Sequence, residues 1–465
     1  MVGKIKFRPI EIIRSSASDE HTQIRVGRDS PYLLKIREFV SCREASLDSP
    51  ALHDHKWRPV KLSPQMTQNT EILLDVEHAA SELGFSIMEV AQRSEEDLSG
   101  LVAKAEKIRH LVLQGVPQDA AYKTVSHLES IQAEKLFLRQ GQMSETYRHE
   151  DLYRTCEIIR NPDTGELDIF LLLNKAGDEI LGEGFSTKTK TAVNVRTGEK
   201  VAVLSTLGSD EEKLQIIKTE KRNAQIVKGI KGFIPTYFLS EGVSKKHGVS
   251  KLRRFQPACD SDLAQAHYNG KLSDDDNKKI ALNLLEAIKG FHAAGMLHRD
   301  LKMENILLKF HEKSLEVYIA DLGFSCNIDD LQARKRPLCN LASVSPEFAR
   351  AMVKGDFDDI QNATDFKHDV WGLGVLLMDL FEQHLSEEFA DAAFAPVLLP
   401  DGIADNRDKS KDWELIAGQI GALKSGWLPP PQNPYEKLIS SLLEPNKELR
   451  PNAEQAFMMA KKELV

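Results

Sequence analysis

The chain has 465 residues, of which 41% are hydrophobic and 28% charged, and its formal net charge is -9. That length exceeds one ordinary core and implies two or three domains, and the balance is that of a soluble globular protein. The acidic excess and the lack of a basic stripe exclude a general binder of nucleic acid or anionic membrane. No stretch approaches about 18 uninterrupted apolar residues, so no membrane span is expected. Cys42, Cys156, Cys259, Cys326 and Cys339 are scattered without a close pair, which suits free thiols in a reducing compartment. The start, MVGKIKFRPIEIIRSS, lacks a continuous apolar run, so a cytoplasmic location is expected, with export by a route that reads no cleavable signal left open.

Residues 1 to about 68 are mixed, with strand-like GKIKFRPIEII and breakers at Pro31, Pro50, Pro59 and Pro64. Helical spacing follows at Ile72, Val76, Ala80 and Leu83, and again at Leu98, Leu101, Val102, Ala105, Ile108 and Val112. Ser94 and Asp97 resemble a capping box for the second helix, which Gly115 and Pro117 close. A third helix over roughly 119–138 completes an expected small helical bundle. Strand character begins near 152, with a hairpin around Pro162 to Gly165. Three further strands follow within EILGEGFSTKTKTAVNVRTGEKVAVLST, with a turn at Thr197-Gly198. After about 260 helices dominate, and one starting at Ser273, with Asp276 as capping partner, should bury Ile280, Leu284, Ile288 and Phe291. A β-rich lobe followed by an α-rich lobe is an α+β arrangement with a cleft at the junction.

LHRDLKMENILL, residues 297–308, sets polar groups between apolar flanks, and YIADLGF follows it. Asp300, Asn305 and Asp321 can converge there, because a loop delivers the first two and a hairpin the third. Two hard oxygen ligands and one further carboxylate are what phosphoryl transfer requires: Mg²⁺ prefers oxygen, and the remaining carboxylate can receive a hydroxyl proton.

In these residues the sequence resembles the eukaryotic-type protein kinases. His298, Arg299, Asp300, Leu301, Lys302, Glu304 and Asn305 match the family's H-R-D-L-K-x-E-N loop, and Asp321 to Gly323 its D-F-G. Ser345-Pro346-Glu347 stands where the family has A-P-E, DVWGLGV from Asp369 matches a later helix start, and Arg450-Pro451 the terminal R-P. The resemblance runs from roughly 177 to the end. It implies a bilobal kinase-like domain over 150–465, with a β-rich N-lobe to about 255 and a helical C-lobe from 256, preceded by a mixed then helical region, 1–145, of unknown function. It further implies ATP and Mg²⁺ as cofactors and a protein substrate or binding partner. Asp300 would be the base, Lys302 would stabilise the transferring phosphoryl group, and Asn305 and Asp321 would hold Mg²⁺. Arg299 goes with control by the activation segment, His298 is a packed structural residue, and Glu347 would pair with Arg450.

Three positions depart from the family. GEGFST keeps Gly182 and Gly184 for the phosphate loop but has Thr187 in place of the third glycine. The phosphate-gripping lysine stands about 22 residues after the first glycine, which is Leu204, while Ala202 in the same strand would touch the adenine. Its helix glutamate, about 18 to 19 residues further on, falls on Arg222 or Asn223, with Glu220 nearly a turn earlier. Lys188 and Lys190 alternate onto the face away from the nucleotide, and Lys200 lies about 13 Å back along the strand. Cys339-Asn340 replaces the Gly-Thr pair before Ser345, where Asn340 could still bond Asp300. Among Ser325, Ser343 and Ser345 in the activation segment, ordinary structural roles are favoured over phosphorylation. A Ser/Thr-kinase-like phosphotransferase is the first reading, a pseudokinase scaffold the second, and a small-molecule phosphotransferase the third.

Overall fold

The computed structural model describes residues 10–14, 22–26, 95–130, 144–161, 165–173, 182–183, 187–243, 248–312, 314–336, 340–396 and 409–465. The helix expected through Ile72 to Leu83, the capping residue Ser94, the helix end at 131–138, Pro162, Gly184 and Cys339 lie outside them. The chain divides into two compact units, Met1–Glu179 with Thr191–Lys200, and Ile180–Lys190 with Val201–Val465.

In the first unit, β1 (Ile10–Arg14) and β2 (Thr22–Val26) form an antiparallel pair. Two helices follow, α1 (Glu95–Leu113) and α2 (Gln118–Ser130), separated by Gly115 in the left-handed region at φ 84°. β3 (Ser144–Tyr147), β4 (Cys156–Arg160) and β5 (Leu167–Leu172) make an antiparallel meander, and β5 pairs onward with residues 192–194. The expected helical bundle is therefore a helix layer on a sheet. Ile108, Leu111, Val125 and Leu128 share one core with Cys156, Leu171, Val193 and Val195. That core also moves the buried face of α1, since Leu111 is fully buried and Val112, expected inside, is exposed. Gly198 has φ 72°, and a Cβ there would lie 2.6 Å from the His110 ring, so this turn needs glycine for both conformation and space.

The second unit opens with β6 (Gly182–Glu183), which pairs with β7 (Thr187–Asn194). β8 (Lys200–Gly208) leads to α3 (Glu211–Ile226), whose N-cap Asp210 accepts the Lys213 N–H at 2.9 Å. β9 (Phe238–Val243) and β10 (Ser250–Pro257) follow, and β10 lies antiparallel between β8 and β9. Side chains alternate along a strand, so Ala202, Leu204 and Gly208 share a face. A Cβ on Gly208 would lie 2.5 Å from Leu214 and 3.3 Å from Ile217, which places α3 against that face.

After β11 (Ser261–Asp262) and α4 (Leu263–Tyr268) the unit becomes helical. The sequence foresaw α5 (Asp274–Ala293) in detail. Ser273 and Asp276 form a reciprocal capping box, and Ile280, Leu284, Ile288 and Phe291 are all fully buried. Two hairpin-like pairs follow, of β12 (Met296–Leu297) with β15 (Cys326–Asn327), and of β13 (Ile306–His311) with β14 (Ser314–Ile319). The remaining helices are α6 (Leu331–Arg334), α7 (Pro346–Lys354), α8 (Phe357–Ala363), α9 (Phe366–Leu380), α10 (Glu387–Phe394), α11 (Lys409–Gln419), α12 (Pro434–Leu442) and α13 (Ala453–Leu464). α9 is apolar around most of its circumference and is the central helix of this core, with Trp371, Leu373 and Leu377 fully buried. This is a β-sheet lobe followed by a helical lobe. Among the described residues no helix is long and apolar enough to cross a membrane.

Candidate active site

The loop between β12 and β13 holds Asp300, Lys302 and Asn305 in one hydrogen-bonded group. Asp300 Oδ2 accepts from Asn305 Nδ2 at 2.9 Å and from Lys302 Nζ at 3.2 Å. Asn305 Nδ2 also donates to the Asp300 carbonyl at 2.8 Å, which fixes the amide and turns its carbonyl oxygen away from Asp300. Asp300 Oδ1 is buried with no hydrogen-bond partner among the described residues. A carboxylate oxygen left in that state is costly in an idle site.

The hairpin β13–β14 brings Asp321 to the same place. Ile306 lies opposite Ile319, and the Ala320 N–H donates to the Asn305 carbonyl at 2.8 Å, so Asn305 and Asp321 leave the open end of the hairpin together. Asp321 is exposed, has φ 58°, and accepts the Gly323 N–H at 3.1 Å. Left-handed backbone is uncommon outside glycine, and the two non-glycine cases among the described residues are Asp321 and Arg299. Both belong to this site.

His298 is fully buried between Phe233 and Phe291. Its Nδ1 accepts the Asp300 N–H at 3.3 Å, so the proton lies on Nε2, which donates to the Ala320 carbonyl at 3.2 Å. It is a packed brace between the loop and the β14 end. Arg299 donates from Nε to the Phe324 carbonyl at 2.6 Å and from Nη1 to the Ala333 carbonyl at 3.0 Å, tying the loop to the activation segment.

On the sheet side, Gly182 lies in β6, Ala202 is buried, and Leu204 is half-buried on the face of β8 that carries α3. Lys200 is exposed at the start of β8, Lys188 is exposed, and Lys190 is half-buried. At the expected glutamate position the fully buried Asn223 does something else. Its Nδ2 donates to the carbonyls of Leu322 (3.0 Å) and Ser325 (3.3 Å), which fastens α3 to the segment after Asp321. Arg222 faces outward to Asp330 at 3.7 Å. Leu204 and Asn223 are the residues at the positions where the resemblance leads one to expect the lysine and the glutamate.

Residues 176–460, more than half of the chain, match the family described as the protein kinase domain. The chain belongs to the protein kinase family. Among curated proteins, it is 27% identical over 292 residues to the phosphorylase b kinase gamma catalytic chain, liver/testis isoform, of Mus musculus, covering 60% of this chain and 64% of that one. It is 26% identical over 272 residues to the CBL-interacting serine/threonine-protein kinase 20 of Arabidopsis thaliana, covering 58% and 54%. With the serine/threonine-protein kinase RAD53 of Saccharomyces cerevisiae it shares 28% identity over 259 residues, covering 50% and 29%. The chain thus spans less than two thirds of the length of these relatives.

In this kinase domain the sequence reading missed the residue that shapes the catalytic loop. Asp369, noted only as part of a helix start, is buried and accepts the His298 N–H at Oδ2 and the Arg299 N–H at Oδ1, each at 2.8 Å. His292 adds a third contact at 2.9 Å. Burial alone would raise this carboxyl, but the His292 hydrogen bond and the nearby imidazoles bring it down to about 2. No spacing rule could have paired residues 71 positions apart. The expected Asn340–Asp300 bond is also replaced: the Asn340 side chain accepts the Ala342 N–H at 3.1 Å as a cap, and its own N–H donates to the Arg299 carbonyl at 3.3 Å. Ser325, Ser343 and Ser345 are all buried, and Ser345 Oγ contacts His368 Nδ1 at 3.0 Å, in keeping with structural roles.

Beside the loop, Asp379 of α9 is pushed up to about 6, first by burial and then by the charges of Glu382 and Glu304. Because its folded value lies above 3.8, the native state binds the extra proton. The associated stability is present below about pH 4 and is lost as pH rises through about 6. Asp379→Asn should therefore raise the melting temperature at pH 7 to 8, by on the order of 2–3 kcal/mol of stability, and bring no gain below about pH 4. Thermal melts of both proteins across that range check it.

One further cluster, in the first unit, could offer metal ligands: His127, His149 and Asp151. The two imidazoles are stacked with centroids 4.0 Å apart and planes only 18° from parallel. Their in-plane lone pairs run side by side and meet far beyond a metal–nitrogen bond of about 2 Å. We assign no metal there.

Proposed function

We propose that this kinase domain transfers the γ-phosphoryl group of ATP to a serine or threonine hydroxyl of a protein substrate. The observation that carries the reading is the Asp300 carboxylate, with one oxygen held by Lys302 and Asn305 and the other buried without a partner among the described residues. Such an oxygen suits the proton of an attacking hydroxyl, and the hydrogen bonds from Lys302 and Asn305 orient the carboxylate. Asn305 Oδ1 and the exposed Asp321 carboxylate are the hard oxygen donors that Mg²⁺ prefers, so the residues present fit the metal that the family uses. When bound, Mg²⁺ would neutralise phosphate charge. Gly182, Gly184, Ala202 and Leu204 are the proposed nucleotide contacts. A cytoplasmic location, and separate roles for residues 1–145 and 150–465, belong to the same proposal.

Leu204 and Asn223 support a second reading, a pseudokinase whose cleft serves as a scaffold for a binding partner. Loss of one preorganised charge partner lowers rate by on the order of 10² to 10³ and does not abolish catalysis, so we favour the enzyme. Incubation with Mg²⁺ and γ-labelled ATP, beside Asp300→Asn, separates the two. Label that depends on Asp300 supports the enzyme. A melting temperature raised by Mg-ATP without any transfer supports the scaffold, and no response to nucleotide overturns both nucleotide-dependent readings.

A further inference from the structure

We propose that the activation segment is ordered by two arginines, Arg299 and Arg334, and that the domain works without phosphorylation of that segment. This rests on the kinase reading above and names the regulation of that site. A phosphoryl group orders such a segment by giving nearby arginines an acceptor for charge-assisted hydrogen bonds. Here both arginines already have acceptors, and these are backbone carbonyls.

Arg299 is 4% exposed. Besides the Phe324 and Ala333 carbonyls, its guanidinium reaches that of Arg336 at 3.4 Å, so one side chain of the catalytic loop gathers both ends of residues 324–336. Arg334, the last residue of α6, fastens the segment on its other side. Its Nη1 donates to the Ile328 carbonyl at 3.0 Å, within the segment, while Nη2 and Nε donate to the carbonyls of Gln361 at 2.7 Å and Thr364 at 2.8 Å. Gln361 and Thr364 lie at the C-terminal end of α8, where helix carbonyls lack intrahelical partners and a cation is favourable. Asp330 is the N-cap of α6 and accepts the Ala333 N–H at 3.0 Å. Drawing either arginine to a phosphate would take donors away from these carbonyls, an exchange with little net gain.

The segment also offers no accessible hydroxyl to phosphorylate. From Asp321 to Glu347 the sequence contains Ser325, Ser343 and Ser345, and neither threonine nor tyrosine. All three serines are buried. Ser325 Oγ donates to the His298 carbonyl at 3.5 Å, and Ser345 Oγ lies 3.0 Å from His368 Nδ1.

The test uses the full chain before and after treatment with a broad-specificity phosphatase, with mass spectrometry confirming that residues 321–347 carry no phosphate. Hydrogen–deuterium exchange reads the segment, and γ-labelled ATP reads transfer. Residues 322–336 should be protected equally before and after treatment, and transfer should be unchanged. Arg334→Met should speed exchange over 328–336 by on the order of tenfold or more, the effect of losing hydrogen bonds from a charged donor. It should lower transfer and leave Mg-ATP affinity unchanged, since Arg334 is not a proposed nucleotide contact. Arg334→Lys keeps the charge without the planar fork of donors and should fall between the two. Loss of protection or of transfer on phosphatase treatment overturns the inference. So does unaltered exchange in Arg334→Met, or faster exchange spread over the whole domain, which would make Arg334 a stability residue only. A protected, phosphate-free segment in a chain that transfers nothing supports the inference and counts against the enzyme reading alone.

Discussion

Asp369→Ala is expected to destabilise the kinase domain by on the order of 2–6 kcal/mol and to abolish any phosphotransfer. The carboxylate is the acceptor for two buried N–H groups, those of His298 and Arg299, and a buried donor left without an acceptor costs about 1–3 kcal/mol. Arg299 is also held at φ 69°, a conformation that persists only while its surroundings enforce it. Once released, it lets Asp300 leave its place beside Asn305. Denaturant unfolding and labelled-ATP transfer read the two effects. Acid gives an independent signature. The folded carboxyl, at about 2, is depressed below 3.8, so its stabilisation is present above about pH 4 and is lost as pH falls toward 2. Asp369→Asn should lack that acid-sensitive component, and an unaltered acid profile would count against Asp369 as its source.

Arg450→Met should cost about 3–5 kcal/mol, the range for breaking one side of a buried ion pair. In a domain of this size that lowers the melting temperature by roughly 6–15 °C. Arg450 meets Glu347 in a bidentate pair at 2.8 and 3.0 Å, donates to the carbonyls of Lys367 and Glu444, and stacks over Trp371 at 5.0 Å. Burial alone would raise the Glu347 carboxyl, but the Arg450 charge and hydrogen bonds hold it below its ordinary value. Without Arg450 the glutamate must take up a proton or remain an unpaired buried charge. The double variant Glu347→Gln/Arg450→Met should therefore be less destabilised than the two single losses added together. Additive losses would show that the pair is not the source of the effect.

Legibility followed the range of the interactions. The capping box at Ser273 and the buried stripe Ile280, Leu284, Ile288 and Phe291 are set by neighbours within a few residues, and both were foreseen. The same reading placed Val112 inside and expected a helical bundle, because periodicity identifies an apolar face without saying what covers it. Strands β4 and β5, distant in sequence from α1, decided that Leu111 and not Val112 is buried. In the loop region, the motif residues were legible because their residue types and spacing are distinctive: two carboxylates and an amide, Asp300, Asp321 and Asn305, near one hairpin end. Asp369 was not, since its function lies in two backbone N–H groups that carry no side-chain signal.

The sequence by itself determined the family and the motif residues that carry the resemblance to it, and it set the expectation that Leu204 stands where a lysine is usual. Each follows from residue type at short spacing, and no tertiary information is needed to see it. Only the tertiary structure decided what surrounds that leucine. Strand register set Arg254 opposite Leu204, and helix docking turned Asn223 from an unpaired replacement into a clamp on the Leu322 and Ser325 carbonyls. The physical reason is that pairing across strands and between lobes depends on which backbones meet, a property of the packed chain and not of any local stretch.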